Sequence, residues 1–290
     1  MPPPVRAALL CVVSCAFFAG AQAFAKAAQT SGIGPDLHPL QVTAARFLFA
    51  FLLLLPLILR QGPNVFRTAV PWRHAQRVLF GVAGVATLFA ALAEIPLGDA
   101  VAIAWASPLF ALLFAALFLK EKVAVRRWIA AAVGFTGVAI MMRPSGAAFE
   151  PAALLALASA LFVGGEVVTI RLLATRDSTL TILAINNGLG LLIAGAAAAP
   201  VFVMPSGHQL VLLMAIGVIM LTGQAIFLKA VTIAEASFVA PFYYATLLWA
   251  ALIGVVVFGE VPGWPLILGA SLIVGSGIYV SWRGTAAAKA

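Results

Sequence analysis

The chain has 290 residues, of which 64% are hydrophobic and only 9% are charged, and its formal net charge is +8. A soluble domain carries about 25% charged residues, so this composition cannot cover a water-facing surface and excludes an ordinary soluble protein. The positive charge does not indicate nucleic-acid binding, because the basic residues lie in short connections between apolar runs. We therefore expect an integral membrane protein whose outer surface contacts lipid.

Ten apolar segments have about the length, roughly 20 residues, that a helix needs to cross a bilayer. In chain order they cover residues 5–25, 40–59, 76–94, 98–118, 124–142, 151–171, 180–199, 209–229, 236–257 and 263–282. Glycine, proline or charged residues mark nearly every connection. The first segment resembles a signal peptide, with Arg6 before it and Ala21-x-Ala23 within it. Because it runs past Phe24 and further spans follow, we interpret it as the first transmembrane helix.

The lysine and arginine residues indicate on which side of the membrane each connection lies. With the N-terminus in the cytoplasm, all but three of the 17 basic residues fall on the cytoplasmic side, as the positive-inside rule requires. The exceptions are Lys26, Arg46 and Arg143. Nine or eleven helices would spoil this alternation. The sequence thus predicts an all-α, multi-pass protein of a bacterial-type inner membrane, with ten transmembrane helices and both termini inside (N-in/C-in).

The two halves of the sequence are alike. Residues 16–22 in span 1 align with residues 160–166 in span 6, which pairs Gln22 with Glu166. Acidic residues around spans 4 and 9 match as well: Asp99 with Glu235, and Glu121 with Glu260. Each half holds five spans, and since five is an odd number, the halves cross the membrane in opposite directions.

This arrangement predicts two inverted five-helix repeats. The first repeat covers residues 1–145 with spans 1–5, and the second covers residues 146–290 with spans 6–10. Inverted repeats are frequent in secondary transporters, where the substrate site lies between the repeats near the middle of the membrane.

Three stretches carry a family resemblance: residues 95–121, with Ile-Pro-Leu-Gly-Asp-Ala at its start; residues 234–262, with Ala-Pro-Phe-Tyr-Tyr and Phe-Gly-Glu-Val-Pro; and residues 275–279. They are similar to the drug/metabolite transporter superfamily, in its ten-helix EamA-type branch. The resemblance implies transport of a small metabolite, such as an amino acid, a riboflavin-like vitamin, S-adenosylmethionine, a purine or a drug. The second stretch looks most like the riboflavin and S-adenosylmethionine uptake proteins, while aromatic amino acid exporters share the overall pattern.

The sequence departs from the family pattern at one point. Span 9 has Leu247 where span 4 has Pro108. We therefore expect the two halves to bend differently.

Glu166 is the clearest candidate for function, since an ionisable residue inside a membrane is energetically expensive. Together with its repeat mate Gln22, it is expected to line a central cavity and bind substrate. A carboxylate in a low dielectric readily takes up a proton, so Glu166 is also a candidate proton site. The alternatives are that Glu166 reaches the cytoplasmic edge or pairs with Arg171.

Other residues inside the spans complete the candidate substrate site: Phe18, Trp105, Asn187, Gln224, Tyr243 and Tyr244. The aromatic residues of spans 4 and 9 occupy related places in the two repeats and are suited to stacking on a flat substrate. Pro108 and Pro241 interrupt the same two helices, and such breaks border cavities or act as bends in transporters. The alternatives are structural roles, in which the amides form hydrogen bonds between helices and Phe18 packs against lipid.

Several residues are interpreted structurally. Lys26 and Lys229 lie near helix ends, where long cationic side chains reach the membrane interface. Arg46 is placed at the outer interface, with attraction of an anionic substrate as the alternative. Glycines in spans 5 and 10, among them Gly137 and Gly269, predict close helix packing or a dimer contact.

The sequence lacks the motifs of other chemistries. There is no Gly-x-x-x-x-Gly-Lys phosphate loop and no His-Glu-x-x-His motif, and the three histidines are assigned to loops. We therefore expect no cofactor, no metal and no enzymatic activity. The predicted function is a secondary transporter or facilitator that works by alternating access on an amino-acid-like or flat vitamin- or nucleoside-like metabolite.

The predicted partners are the substrate, the lipid bilayer and protons, and the chain is expected to act as a monomer or homodimer. A lipid-modifying enzyme and a membrane scaffold are the alternatives of another class.

Overall fold

The structure is a computed structural model that describes residues 3–30, 32–118, 124–142, 150–173, 177–233 and 242–287. In these ranges all regular secondary structure is helical. The α-helices are α1 (Pro3–Thr30), α2 (Pro39–Gln61), α3 (Pro71–Glu94), α4 (Leu97–Ala104), α5 (Ser107–Phe118), α6 (Val125–Met142), α7 (Ala153–Leu173), α8 (Thr179–Ala198), α9 (Gly207–Ile233), α10 (Ala245–Phe258) and α11 (Trp264–Ala287). Short 3₁₀ helices cover Pro63–Phe66 and Ala199–Val201.

The helices account for the predicted spans. Six segments in the described ranges are long and apolar enough to cross a bilayer: α1, α2, α3, the α4–α5 pair, α8 and α9. Shorter apolar stretches lie in α6, α7, α10 and α11. The prediction of an all-α, multi-span membrane protein is confirmed. Residues 234–241, which include the start of span 9, lie outside the described residues.

One helix boundary differs in a way that matters for the site. The third span begins at Pro71 rather than at residue 76. Proline suits the first helical position because its missing N–H would have no partner there and its φ is already helical. The longer helix carries His74 and Arg77 into the protein, although the sequence placed His74 in a loop. Both side chains are buried.

The main contacts between helices are matched when the two halves are exchanged. α1 packs against α9 as α7 packs against α3, and α1 contacts α10 as α7 contacts α4 and α5. Three pairs of equivalent helices contact each other directly: α2 with α8, α4 with α10, and α6 with α11. This pattern is that of a two-fold axis passing between these pairs. With five spans in each half, the two halves are inverted in the membrane.

Close glycine contacts repeat on the two sides of this axis. A Cβ atom added at Gly84 on α3 would lie 3.5 Å from the Cβ of Phe162 on α7, and one added at Gly223 on α9 would lie 3.3 Å from the ring of Phe18 on α1. Phe18 and Phe162 are aligned residues of the sequence repeat. The same interhelical geometry therefore occurs in both halves.

α6 and α11 cross at a pair of glycines on the axis. A Cβ atom at Gly137 would lie 2.6 Å from the carbonyl oxygen of Gly269, and one at Gly269 would lie 2.7 Å from the carbonyl oxygen of Gly137. Only glycine permits backbones to approach this closely, which is a common basis of helix association in membranes. These two glycines therefore pack against each other within one chain.

The outer surface is apolar. Large aliphatic side chains such as Leu59, Leu192 and Val256 are about 70% exposed, at 72%, 69% and 73%. Side chains of this kind suit contact with lipid tails. The core, by contrast, is rich in alanine, which lets the helices approach one another.

Candidate functional site

Spans 4 and 9 are both interrupted. In span 4, Trp105 and Ala106 form a turn between α4 and α5, and Pro108 near the start of α5 has no N–H to continue the helical hydrogen bonds. In span 9, Tyr244 forms a turn immediately before α10. Pro241, the proline predicted to break span 9, lies outside the described residues. Because α4 contacts α10 at the two-fold axis, the two breaks lie together inside the protein.

Five aromatic side chains assemble around these breaks, and we call them the aromatic cluster: Phe18, Trp105, Phe227, Tyr243 and Tyr244. The ring centroid of Tyr243 lies 4.7 Å from those of Trp105 and Phe227 and 5.6 Å from that of Phe18. The rings of Trp105 and Tyr244 are 5.3 Å apart. The cluster thus unites residues of both repeats on α1, α9 and the two helix breaks.

Phe227 is the member of the aromatic cluster that the sequence analysis missed. It lies three residues after Gln224 on α9, so the two share a helix face. Gln224 was a candidate and is itself partly buried. The spacing from Gln224 was therefore a signal that pointed to Phe227.

Buried polar atoms lie beside the aromatic cluster. Gln22 follows Phe18 by four residues on α1, and its Oε1 atom is buried; so is the hydroxyl of Tyr244. Neither atom has a hydrogen-bond partner in the part of the chain that the structure describes. Most buried polar atoms in proteins are paired, so these two are candidates for contact with a polar substrate. Cys15 is also adjacent, with its Sγ 3.3 Å from the carbonyl oxygen of Tyr243.

On α2, α3 and α7 lies a second group, which we call the charged cluster: Arg46, Arg77 and Glu166. An Nη2 atom of Arg77 lies 3.5 Å from Oε1 of Glu166, and the two side chains are 8% and 19% exposed. Arg46 is 7% exposed and interacts electrostatically with both. Arg77 and Glu166 thus form an ion pair in the protein interior, and the buried guanidinium of Arg46 lies near enough to interact with it.

The charged cluster corrects two expectations from the sequence. Arg46 does not reach the outer interface, because its side chain is buried within the protein, where its guanidinium packs over the Phe47 ring at 4.5 Å. Arg77, which was counted with the cytoplasmic connection, is the ion-pair partner found for Glu166. The side chain of Arg171, the partner considered from the sequence, is outside the described residues.

The glycine at position 81 makes room for the charged cluster. A Cβ atom at Gly81 on α3 would lie 3.3 Å from the carboxylate oxygens of Glu166. The carboxylate therefore rests against the α3 backbone, one turn along the helix from Arg77.

The remaining candidates are placed less centrally by their contacts. Asn187 is buried, and its Nδ2 donates to the carbonyl oxygen of Leu183 on the same helix at 2.9 Å. Gln224 is partly buried on α9. The amide of Asn187 thus serves its own helix in this conformation.

The two repeats are joined at the outer end of the molecule. Nζ of Lys26 lies 2.9 Å from Oε1 of Glu260 and donates to the carbonyl oxygen of Ile95 at 2.6 Å. The carboxylate of Glu260 also accepts the N–H of Leu97 at 2.8 and 3.0 Å, which caps the N-terminus of α4. Lys26 was interpreted as an interfacial anchor, but its ammonium group is a contact between the repeats. We call these contacts the outer latch.

A second polar contact lies at the cytoplasmic end. Nε2 of His74 is 2.8 Å from Oδ2 of Asp177, which also accepts a hydrogen bond from Oγ1 of Thr68 at 2.7 Å. Desolvation of the Asp177 carboxyl raises its pKa, but the hydrogen bonds from His74 and Thr68 outweigh it, so the pKa is lowered from its ordinary value. Asp177 lies before α8 and the other two belong to the first repeat, so this contact also joins the halves.

Among the described residues no group of three or more His, Cys, Asp or Glu side chains could hold a metal ion.

The sequence profile of the EamA-like transporter family matches residues 5–143 and 150–282 of this chain. A riboflavin transporter of Rhizobium johnstonii is 36% identical over 80% of this chain and 77% of its own length. An S-adenosylmethionine uptake transporter of Rickettsia prowazekii is 29% identical over 86% of this chain and 84% of its own.

One solved crystal structure, 22% identical in sequence, matches with a TM-score of 0.63 over 95% of this chain and 96% of its own. At that identity the likeness shows the fold alone. The relatives are bacterial transporters, and the chain is a multi-pass protein of the inner membrane. By the match of both halves, the chain belongs to the EamA-like transporter family.

Proposed function

We propose that this chain carries a flat heteroaromatic metabolite of the flavin type across the inner membrane by alternating access. The observation that carries the proposal is the aromatic cluster, which brings together rings from both repeats where the two broken helices meet. Stacking between a flat ring and aromatic side chains contributes about 1–3 kcal/mol per ring in comparable sites. The similarity to a riboflavin transporter supports this class of substrate.

The position of the cluster suits a transport cycle. Substrate sites of inverted-repeat transporters lie at the repeat interface beside discontinuous helices. The outer latch and the His74–Asp177 contact join the repeats on opposite sides of the cluster. In the proposed cycle these two contacts break in turn, so that the cluster opens to one side of the membrane at a time.

The proposal includes the two repeats, residues 1–145 and 146–290, as the moving units. It assigns substrate contact to the aromatic cluster and Gln22, places Glu166 beside the bound substrate, and assigns Asn187 and Gln224 to the surrounding shell. The proposal also includes proton coupling through Glu166, which flux measurements with a pH gradient test. Sizing measurements distinguish a monomer from a homodimer. The proposal includes no catalytic step. A lipid-modifying enzyme and a membrane scaffold are the alternatives that the test can favour instead.

S-adenosylmethionine is the second candidate, because a relative carries that name. Its sulfonium group makes it cationic, whereas the charged cluster holds two guanidinium groups and one carboxylate. Excess positive charge inside the protein repels a cation. The charged cluster therefore favours a neutral or anionic substrate.

The test is uptake into proteoliposomes of riboflavin, S-adenosylmethionine and phenylalanine, each with and without a pH gradient. We expect riboflavin flux in the native protein and a loss of about 10-fold or more in Tyr243→Ala, because a stacking contact is removed. The matched control is Trp72→Ala, an aromatic residue that is 69% exposed at the start of α3. Flux of S-adenosylmethionine or phenylalanine without riboflavin flux would reject the flavin class and identify the transported compound's class in its place. No flux at all would favour the scaffold alternative.

A further inference from the structure

We propose that Arg46 and Arg77 form a subsite for an oxyanion carried by the substrate, and that Glu166 occupies this subsite when no substrate is bound. The inference rests on the proposed function and adds that, among flat aromatic molecules, those with one acidic group, a phosphate or a carboxylate, bind more tightly than neutral ones. It concerns the charged cluster alone, so it can fail while flavin transport stands.

The first argument is the balance of charge. Arg46 and Arg77 are 7% and 6% exposed, and Glu166 is the carboxylate beside them. Arginine stays protonated in proteins, so the three groups leave an excess of one positive charge when Glu166 is ionised. Buried charges are stable only when they are paired and hydrogen-bonded. An oxyanion from the substrate supplies the missing charge.

The second argument is the geometry of the donors. Glu166 approaches Arg77 with one oxygen at 3.5 Å, whereas charge-assisted hydrogen bonds in tight pairs are about 2.7–2.9 Å long. The Nε atoms of both arginines are buried and have no hydrogen-bond partner in the described ranges. A guanidinium binds an oxyanion through a pair of parallel N–H donors, and Glu166 leaves the Nε donors free.

The third argument is that the guanidinium groups are already oriented. Arg46 packs over the ring of Phe47 at 4.5 Å, and Nη1 of Arg77 approaches the carbonyl oxygen of Ile182 at 3.4 Å. These contacts fix the side chains without using the Nε donors. Little conformational entropy is then lost when the anion binds.

The fourth argument is the position of the charged cluster relative to the aromatic cluster. α3 and α7, which carry Arg77 and Glu166, are the two-fold equivalents of α9 and α1, which carry Phe227 and Phe18. α1 also contacts α3, and α4, which ends next to Trp105, contacts α7. A substrate whose ring stacks in the aromatic cluster thus faces the charged cluster with its other end.

The test compares three flavins that share one ring system: riboflavin, which is neutral; flavin mononucleotide, which carries a phosphate; and 10-carboxymethylflavin, which carries a carboxylate. Binding to the purified full-length protein is followed by quenching of flavin fluorescence. We expect at least one acidic flavin to bind about 10-fold more tightly than riboflavin. The better of the two identifies phosphate or carboxylate as the preferred group, and inorganic phosphate should compete if it is phosphate.

The variants separate the subsite from folding defects. Arg46→Gln and Arg77→Gln should lower the affinity for the acidic flavin more than the affinity for riboflavin, so that the preference for the acidic flavin is lost. Glu166→Gln should strengthen binding of the acidic flavin, because the internal competitor is removed; this gain cannot come from misfolding. The matched control is Arg60→Gln, which changes an exposed arginine on the same helix as Arg46 and should alter neither affinity.

Two results would overturn the inference and leave the proposed function intact. One is equal affinity for all three flavins in the native protein, and the other is weaker binding of the acidic flavin in Glu166→Gln. Failure of every flavin to bind would instead overturn both proposals.

Discussion

Part of each cluster lies on helix pairs that the two-fold axis exchanges: Phe18 and Phe227 on α1 and α9, and Glu166 and Arg77 on α7 and α3. The chemistry of the two pairs is nevertheless opposite. α1 and α9 supply aromatic rings and the amide of Gln22, while α7 and α3 supply Glu166 and Arg77. The packing beneath them is similar, because Gly223 lies against Phe17 and Phe18 of α1, and Gly84 lies against Phe162 and Val163 of α7. The comparison teaches that the repeats retain the residues that set helix spacing and differ at positions facing the core. If the core is the substrate site, we expect an asymmetric substrate to bind there in one orientation.

The largest expected effect comes from disrupting the close crossing of α6 and α11, which holds the two repeats together. Gly137→Ala puts a methyl group 2.6 Å from the carbonyl oxygen of Gly269, and overpacking of this kind typically costs about 1–3 kcal/mol. We expect a clear fall in the thermal unfolding temperature of the detergent-purified protein, with loss of binding to both clusters. Gly275→Ala is the control, since a Cβ there meets nothing within 4 Å. Equal behaviour of the two variants would argue against the close α6–α11 crossing.

The next effect distinguishes the clusters by what they recognise. Tyr243→Ala and Phe227→Ala should each weaken binding of neutral and acidic flavins alike by about 10-fold, because ring stacking does not depend on the charge of the substituent. Variants of the charged cluster should instead change the ratio of the two affinities. Fluorescence titration measures both quantities. A change in the ratio for Tyr243→Ala, with unchanged affinity for riboflavin, would contradict the division of roles.

A smaller effect is expected at the outer latch. Lys26→Met removes the ion pair with Glu260 and should let the outer ends of the repeats separate more often. Cys15 is buried against the carbonyl oxygen of Tyr243, so in a Cys11→Ala background its reaction with a maleimide reports access to the aromatic cluster. We expect the labelling rate to rise several-fold, and a saturating flavin to slow it again. An unchanged rate would show that the latch does not control access.

The smallest effect concerns the cytoplasmic contact. The hydrogen bonds to Asp177 lower its pKa, so the contact stabilises the protein above the ordinary carboxyl pKa of about 3.9. That contribution is lost only as the pH falls through the lowered pKa of the folded state. Asp177→Asn should therefore melt a few degrees below the native protein at neutral pH, and the difference should shrink in acid. A difference that is independent of pH would assign the effect to packing.

Much of the fold could be predicted from the sequence, because a bilayer imposes strong rules on length, hydropathy and the distribution of basic residues. The ten spans, the inversion of the halves and the small-residue helices follow from those rules. The helix start at Pro71 could not be located from apolar residues alone, because Arg73, His74 and Arg77 interrupt the hydropathy there. Packing of α3 against α2, α7 and α8 accounts for the burial of His74 and Arg77.

The residues of the candidate site also fall into two groups: those that the sequence predicted and those that it did not. Phe18, Trp105, Tyr243 and Tyr244 were predicted, because repeat alignment and helix breaks indicate positions that face the core, and they share one cluster in the structure. Their role in binding stays a prediction. Arg46 was placed at the outer interface and Arg77 was counted on the cytoplasmic side, because both lie near the ends of their predicted spans. Which of them turns inward depends on the rotation of α2 and α3, and tertiary contacts fix that rotation.

Counterflow of riboflavin in proteoliposomes tests the central claim most directly. Vesicles loaded with unlabelled riboflavin are diluted into a trace of labelled riboflavin, and only a carrier with a saturable site accumulates the label transiently. We predict accumulation with the native protein and with Trp72→Ala, and very little with Tyr243→Ala. Accumulation that is equally strong in Tyr243→Ala would remove the aromatic cluster from the site, and its absence in the native protein would contradict carriage of a neutral flavin.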